Sequence, residues 1–541
     1  MLCIALLLAC QSSQVQDLQA AEEAKETEEL IREFAEMRPE IRSLDELTVV
    51  FSKHQMDLDF RKSYFASEAQ VITAIHEGLF TYHPVTLEPV PAMAERWVLS
   101  EDKKQWTFYI RRNARFSNGD PVRAEDFRTA WLSIIEPERQ APYSSFFDVI
   151  EGARDFRNGI EKDPNKVGIR AVDARTLVIS LSAPASFFPA MLCHHSFSPI
   201  HSSMVDKTDW FNTPIISNGP FRVISANEDI ITMEKNEHYW DRARVALNKL
   251  TIKFTNTAEE AAQLWNSGEA RWIAGDVDID ALTDRSGIQV NVMFATHYYF
   301  IRSSEKPFND HRVRRAMALV LPWEEIRSGY YLPAESLIFP IRGYPEVKGI
   351  TEANYEEARR LMAEAGYSNM EGVPDIVIRL TPSRDAARVG NLMAVAWKEI
   401  LGFNVRVEVI SFDRYFQSIK EDNYTIGSIT WIGDFADPYA FLQLFKSDSN
   451  LNDSRYDDPE YEALIQRSML EEGSVRLATL ARAEKLLLDK AVVLPVCYSP
   501  AVNIIDTGEI DGWFPNALDM HPFKYLSLKA YRPLPGIALI K

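Results

Sequence analysis

The run ITWIGDFADPYAF at residues 429–441 places two acids, Asp434 and Asp437, among Ile429, Trp431, Ile432, Phe435 and Phe441. A carboxylate in apolar surroundings costs several kcal/mol unless a donor or a cation meets it, so each acid needs a partner. Asp437 precedes Pro438, and YAFLQLF then carries Phe441, Leu442 and Phe445 at helical spacing. That is the pattern of an N-cap with proline in the first turn, so Asp437 is expected to be satisfied by its own helix. Asp434 has no such local explanation. It follows a strand expected to end near Ile432 and sits in the loop beyond that strand's carboxyl end, where open α/β sheets bind ligands. A ligand ammonium would answer its charge through hydrogen bonds worth about 1.5–3 kcal/mol. From pattern alone, an internal Lys or Arg, or solvent, would serve equally.

Two other groups carry chemistry-bearing residues. CHHSFSPIH offers Cys193, His194, His195 and His201, but the spacing fits no standard zinc pattern and adjacent histidines rarely ligate one ion, so a structural role is expected and no metal site. RVRRAMALVLPWEEI is basic at Arg312, Arg314 and Arg315, which read as a solvated helix face opposite the packing residues Ala316, Leu319 and Val320. The sequence contains no Walker loop, GxGxxG, HExxH or GxSxG motif, so no familiar catalytic constellation is present.

The chain that must position these residues has 541 amino acids, more than one core accommodates, and about 150 residues per domain suggests roughly three units. With 46% hydrophobic, 25% charged and 11% aromatic residues it is an ordinary globular composition rich in aromatics. A formal charge of −19 repels phosphate backbones and anionic lipid, which argues against nucleic acid and favours cationic or zwitterionic ligands. At the N-terminus, LCIALLLAC is too short to span a bilayer, which takes about 20 apolar residues, and is followed by polar QSSQVQD, the pattern of an export signal. LLAC resembles a lipoprotein signal-peptidase site, at which Cys10 would become the acylated first residue; no Lys or Arg precedes the apolar run, and Leu8 is larger than usual there. Cys193 and Cys497 then remain, too few for a disulfide framework and expected as buried thiols.

Residues 11–45 suit a tether with a short amphipathic helix around Leu30, Ile31 and Phe34. LTVVFS reads as a strand, WTFYI and RTLVISLS alternate as strands, and a hairpin is expected around Ala226–Asp229. In the second half, NYEEARRLMAEAGY is a helix capped at Asn354 and stopped at Gly366. A strand at Ile376, Ile378 and Leu380, a helix from about Arg384 to Leu401 closed by Gly402, and a strand at Val405, Val407 and Val409 make a βαβ unit. A helix near 413–420 and the strand YTIGSITWI continue the rhythm, and the segment after Pro500 is expected to complete a domain begun earlier.

Many collinear segments resemble one family. Trp431, Gly433, Asp434, Asp437, Pro438 and Phe441 form W-x-G-D-x-x-D-P-x-x-F; HEGLFTYHP, AERWVLSEDKKQWTFYIRRNARFSNGDPVRAEDF, APYSSFF, FSPIHSSMVDK, ISNGPFRV, EKNEHYWD, KPFNDHRVRRAMALVL and EARRLMAEAGY extend the likeness from about residue 47. The family is the bacterial extracellular solute-binding proteins of family 5, the peptide-binding receptors of ABC importers. The resemblance implies a two-lobed α/β fold of the periplasmic-binding-protein type (type II, cluster C) with an extra domain. A signal peptide would occupy 1–10 and a tether 11–45. Domain I would combine 46–76, 204–294 and 500–541, domain II would span 77–203, and domain III 295–499. It also implies a monomer without cofactor or catalysis, held at the membrane through Cys10 and docking on permease subunits in the periplasm or cell envelope. Peptide would be held between the lobes by main-chain hydrogen bonds, with Asp434 on its α-ammonium and Trp431, Gly433, Tyr143, Tyr298 and Phe412 around it; each of these aromatics, Phe412 and Tyr298 above all, could instead serve the core. Ser428, Ala386 and Ile419 stand where cationic groups for the ligand's carboxylate align; Arg384, Arg414 or Lys420 are the substitutes at hand. The same scaffold could instead bind a metal chelate, haem or an oligosaccharide, or serve as a surface interaction or sensor protein.

Overall fold

The computed structural model describes residues 45–529 apart from 55, 331 and 369–371. The export signal, Cys10, the tether and its helix lie outside the described residues.

A ten-stranded sheet runs through the molecule. From one edge its strands are Val405–Val409, Ile376–Leu380, Ile426–Ile432, Ile288–Ile301, Val493–Ile505, Trp272–Ile273, Glu46–Ser52, Lys249–Thr255, Ile230–Lys235 and Phe221–Ala226. The expected βαβ rhythm is present. Val405–Val409 and Ile426–Ile432 flank Ile376–Leu380 in parallel. The helix Arg384–Ala396 continues as a π turn over Trp397–Leu401 and ends at Gly402, whose φ of 76° is the left-handed conformation that favours glycine. The expected hairpin forms between Phe221–Ala226 and Ile230–Lys235. Asn354 caps the helix Tyr355–Glu364 by accepting from the Glu357 N–H.

The two longest strands, Ile288–Ile301 and Val493–Ile505, pair antiparallel and are shared by both halves of the sheet. At one end they meet Trp272–Ile273, and at the other Ile426–Ile432; their register breaks between Val292 and Thr296. The final segment thus leaves through a strand that pairs toward both halves of the sheet. A separate four-stranded sheet, in the order Ala94–Leu99, Gln105–Ile110, Thr176–Ser180 and Ile169–Ala171, builds the extra domain. Trp106, Phe108 and Ile110 alternate into its core, as strand periodicity requires.

The arginines of RVRRAMALVL correct the sequence expectation. Arg314 is buried, donates to the carbonyls of Phe308 and Lys490, and lies over the Tyr456 ring. Arg312 pairs with Asp310, and Arg315 reaches the carbonyl of Asp489. The arginine stems that looked solvated instead tie the helix to its surroundings, because a guanidinium can bury its planar fork against carbonyls.

A cluster of six charged side chains joins the extra domain to the C-terminal half. Asp148 binds Arg157 at 2.6 Å and also contacts Lys446; Asp448 binds Arg157 at 3.0 Å and Arg154 at 2.8 Å; Arg154 lies 3.6 Å from Glu462. Three cations meet three anions, and Arg157, Asp148 and Lys446 are under one-tenth exposed. Beside them Ser145 donates to Gln443, and Asn450 donates to the carbonyl of Ala141. Removing one charge from such a network leaves its partner buried and uncompensated. Lys446→Met is therefore expected to lower the unfolding free energy by about 3–5 kcal/mol in a urea titration. Arg154→Ala, whose side chain is 34% exposed, is expected to cost about 1 kcal/mol or less.

Candidate ligand-binding site

Asp434 stands at the carboxyl end of the Ile426–Ile432 strand, which is fixed on one side by seven antiparallel pairs from Ala295↔Ile432 to Ile301↔Ile426. Gly433 follows because no larger residue fits: a Cβ there would lie 2.4 Å from the Phe294 ring and 3.1 Å from that of Phe441. Its N–H donates to the Phe294 carbonyl. Trp431 is held flat against the next segment by donating its indole N–H to Ala440 at 3.1 Å.

The two acids of the loop part company as their residue patterns indicate. Asp437 accepts from the Tyr439 N–H at 2.8 Å, and Arg476 closes on both its oxygens at 2.7 and 2.9 Å, a partner the local sequence does not reveal. Asp434 is 9% exposed through its side chain and meets no lysine or arginine among the described residues. The Tyr143 hydroxyl donates to its Oδ1 at 3.0 Å, and the Tyr82 hydroxyl to its main-chain carbonyl at 2.6 Å. His194 Nε2 lies 3.4 Å from Oδ1, but burial holds that imidazole down at about 3, so it is neutral near pH 7 and supplies no countercharge. Oδ2 is buried with no hydrogen-bond partner. Burial pushes the Asp434 carboxyl up to about 8, with the Tyr143 hydrogen bond pulling the other way.

A cavity of about 830 Å³, including its opening to solvent, is lined by Asp434, Gly433, Trp431, Tyr143, Tyr82 and His194, among others. A narrow side chamber lies beside it, with Tyr64, Phe416, Ile429 and Trp431 lining both. Tyr298 is buried and lines the side chamber. Phe412 is 42% exposed and lines neither space. Its edge meets Phe416, four residues on, which lines both. The structure thus brings Asp434, Trp431, Gly433 and Tyr143 together, sets Tyr298 in the adjoining chamber, and leaves Phe412 behind Phe416.

Several lining residues escaped sequence reasoning. Cys193, His194 and His195 face the cavity, where only a structural role was expected for CHHSFSPIH; His194 stacks edge-on against Tyr143 at 4.4 Å, and His195 bonds Ser63 at 2.7 Å. Cys193 and Cys497 are both free and buried. Leu518 and Met520 reach the cavity from the C-terminal segment, which Gln70 holds by bonding the main chain of His521. Tyr64 and Phe65 are set by the buried Glu68, whose carboxylate accepts both their N–H groups, and Phe65 meets Phe416 across the cleft at 4.8 Å. Of the candidate cations for a ligand carboxylate, Arg384 and Arg414 are exposed, while Lys420 is paired with Asp453 at 2.6 Å.

The electrostatics make a stability prediction with a definite sign. An acid near 8 in the folded state and about 3.9 in the unfolded chain binds its proton more tightly when folded. Its contribution is therefore fully present below about pH 4 and is lost as pH rises toward 8. Asp434→Asn is spared this loss, so without ligand its stability advantage over wild type should grow by about 2–5 kcal/mol between pH 4 and pH 8 in urea titrations.

Residues 88–453 match the family model of the bacterial extracellular solute-binding proteins, family 5 (middle). The dipeptide-binding protein DppE of Bacillus subtilis is 28% identical over 480 residues, covering 85% of this chain and 87% of that protein. The periplasmic oligopeptide-binding protein OppA of Salmonella typhimurium is 29% identical over 465 residues, covering 82% and 84%. Among solved structures, the murein tripeptide binding protein MppA of Escherichia coli superposes with a TM-score of 0.81 at 24% identity, over 91% of this chain and all of that one. The unliganded open form of MppA gives 0.61, over 90% and 98%. With a matched span of 366 residues, from 88 to 453, this two-lobed α/β chain belongs to the bacterial extracellular solute-binding proteins of family 5.

Proposed function

We propose that this protein is the extracytoplasmic receptor of a peptide ABC importer and that Asp434 holds the α-ammonium of the bound peptide. The observation that carries this reading is the buried, unpartnered Oδ2 of Asp434, a residue that lines a cavity whose other polar residues are tyrosines, threonines, a thiol and neutral imidazoles. A primary ammonium supplies both the missing donor and the missing positive charge. Peptide-binding relatives on the same fold support the choice of ligand. Tyr143 would share Asp434 with the incoming amine, and the main chain around the cavity would bind the peptide backbone irrespective of side chains.

In this reading the ligand is captured and released unchanged, without cofactor or catalysis. Domain I takes 46–76, 204–294 and 500–541, domain II 77–203 and domain III 295–499, with the long shared strands as the hinge. An acylated Cys10 tethers a monomer at the cell envelope, and the closed state is what the permease subunits recognise.

Calorimetry with a matched pair of short peptides tests the amine contact. N-acetylation is expected to weaken binding to wild type by at least about 1.5 kcal/mol, and Asp434→Asn to weaken the free-amine peptide by a similar amount. Equal affinity of wild type for both peptide forms would remove Asp434 from this role.

A further inference from the structure

We infer that Glu484 is a positioning residue for ligand capture: from the helix that holds the ligand loop, it pins a strap, residues 332–338, across the two strands that form the hinge. This rests on the proposed two-lobed receptor and its hinge, and is independent of the amine contact at Asp434.

The strap lies along Val493–Ile505 on the side away from Ile288–Ile301. The Tyr498 N–H donates to the Leu332 carbonyl at 2.8 Å, the Ala334 N–H donates to the Val496 carbonyl at 3.0 Å, and Pro333 bridges Cys497 between them. Across the strand pair, Tyr498 and Cys497 face Thr296 and His297, which lie between its two breaks in register. Bending and twist concentrate at such breaks, because the ladder is interrupted there. The strap bonds both strands at this place. Thr296, fully buried, donates its hydroxyl to the Leu337 carbonyl at 2.7 Å, and the Ser336 and Tyr498 hydroxyls share a hydrogen bond.

Glu484 supplies what the irregular strap cannot supply for itself. Leu337 and Ile338 are buried outside any helix or strand, so their N–H groups need acceptors. Both donate to Oε1 of Glu484, at 2.8 and 2.9 Å, and the Tyr344 hydroxyl donates to Oε2 at 2.9 Å. Glu484 is fully buried, and its three donors all come from the strap and the turn that follows it. Its helix, Gly473–Asp489, holds the ligand loop as well. Eight residues earlier, about 12 Å along the axis at 1.5 Å per residue, Arg476 closes on both oxygens of Asp437 and lies over the Phe187 ring at 4.3 Å. One rigid element therefore grips the ligand loop in its first turn and the hinge strap two turns later. Releasing the strap uncouples the hinge from the ligand loop, spreads the lobes over more separations, and weakens every peptide by a common factor.

The test combines peptide calorimetry with the distance distribution between spin labels at Lys162→Cys and Lys398→Cys, both exposed, in the whole protein. Glu484→Leu should broaden that distribution without peptide and weaken a free-amine peptide at least about fivefold, with the acetylation penalty unchanged. Glu484→Gln, whose amide oxygen accepts both N–H groups and whose nitrogen donates to Tyr344, should restore wild-type behaviour in both measurements. Should Glu484→Leu not fold, Thr296→Val, which removes the strap's bond to the other strand at nearly constant shape, should give the same broadening. Wild-type distances in whichever of these two variants folds, with or without lost affinity, would overturn the coupling, as would a Gln variant as impaired as Leu. Equal binding of both peptide forms by wild type would strike the amine contact and leave the strap standing; failure of wild type to bind peptide would strike the receptor reading while the distances still decide the strap.

Discussion

The structure turns on one carboxylate whose hydrogen-bonding capacity is half met. Asp434 gives one oxygen to Tyr143 and has nothing for the other, in a site from which lysine and arginine are absent among the described residues and where the nearest imidazole is neutral. Three residues away, Asp437 shows what an internally compensated acid looks like, with a backbone donor and both arms of Arg476. The same short loop therefore holds one acid that stabilises the fold and one that weighs against it above pH 4. A protein keeps such a deficit where a ligand removes it, and binding energy spent on desolvation is recovered only by a cation of the right shape.

Asp434 ties together parts of the chain that lie far apart in sequence. Its two tyrosine partners, Tyr82 and Tyr143, come from the N-terminal part of the chain, 352 and 291 residues away. The ion cluster of Asp148, Arg157, Lys446 and Asp448 bridges the same parts, and only a short helical stretch, Tyr439–Phe445, separates Lys446 from the ligand loop. The acid proposed for the ligand amine and the buried ion network thus draw on the same two parts of the chain. A ligand favours the closed arrangement to the extent that its amine binds the assembled site more tightly than the separated halves.

Much of this was legible locally. The apolar alternation, the caps at Asn354 and Gly402 and the βαβ rhythm each rest on residues a few positions apart, and all are present. So does the contrast between Asp434 and Asp437, since Asp-Pro before a helical run betrays an acid with local work. What stayed hidden depends on contacts between distant segments. Arg476 lies 39 residues from Asp437, and the carbonyls that bury Arg314 come from Phe308 and Lys490. His194 looked structural because its relation to Asp434 spans 240 positions, and Phe412 drew attention where helical geometry turns Phe416 to the cleft instead.

The central claim is that the Asp434 carboxylate pairs with the ligand's amine, and isotope-edited infrared difference spectroscopy observes that carboxylate directly. With labelled aspartate at pH 7, adding a free-amine peptide should convert one protonated carboxyl band into a carboxylate band, and Asp434→Asn should abolish that conversion. A complex in which residue 434 stays protonated, or a conversion that survives Asp434→Asn, would contradict the account.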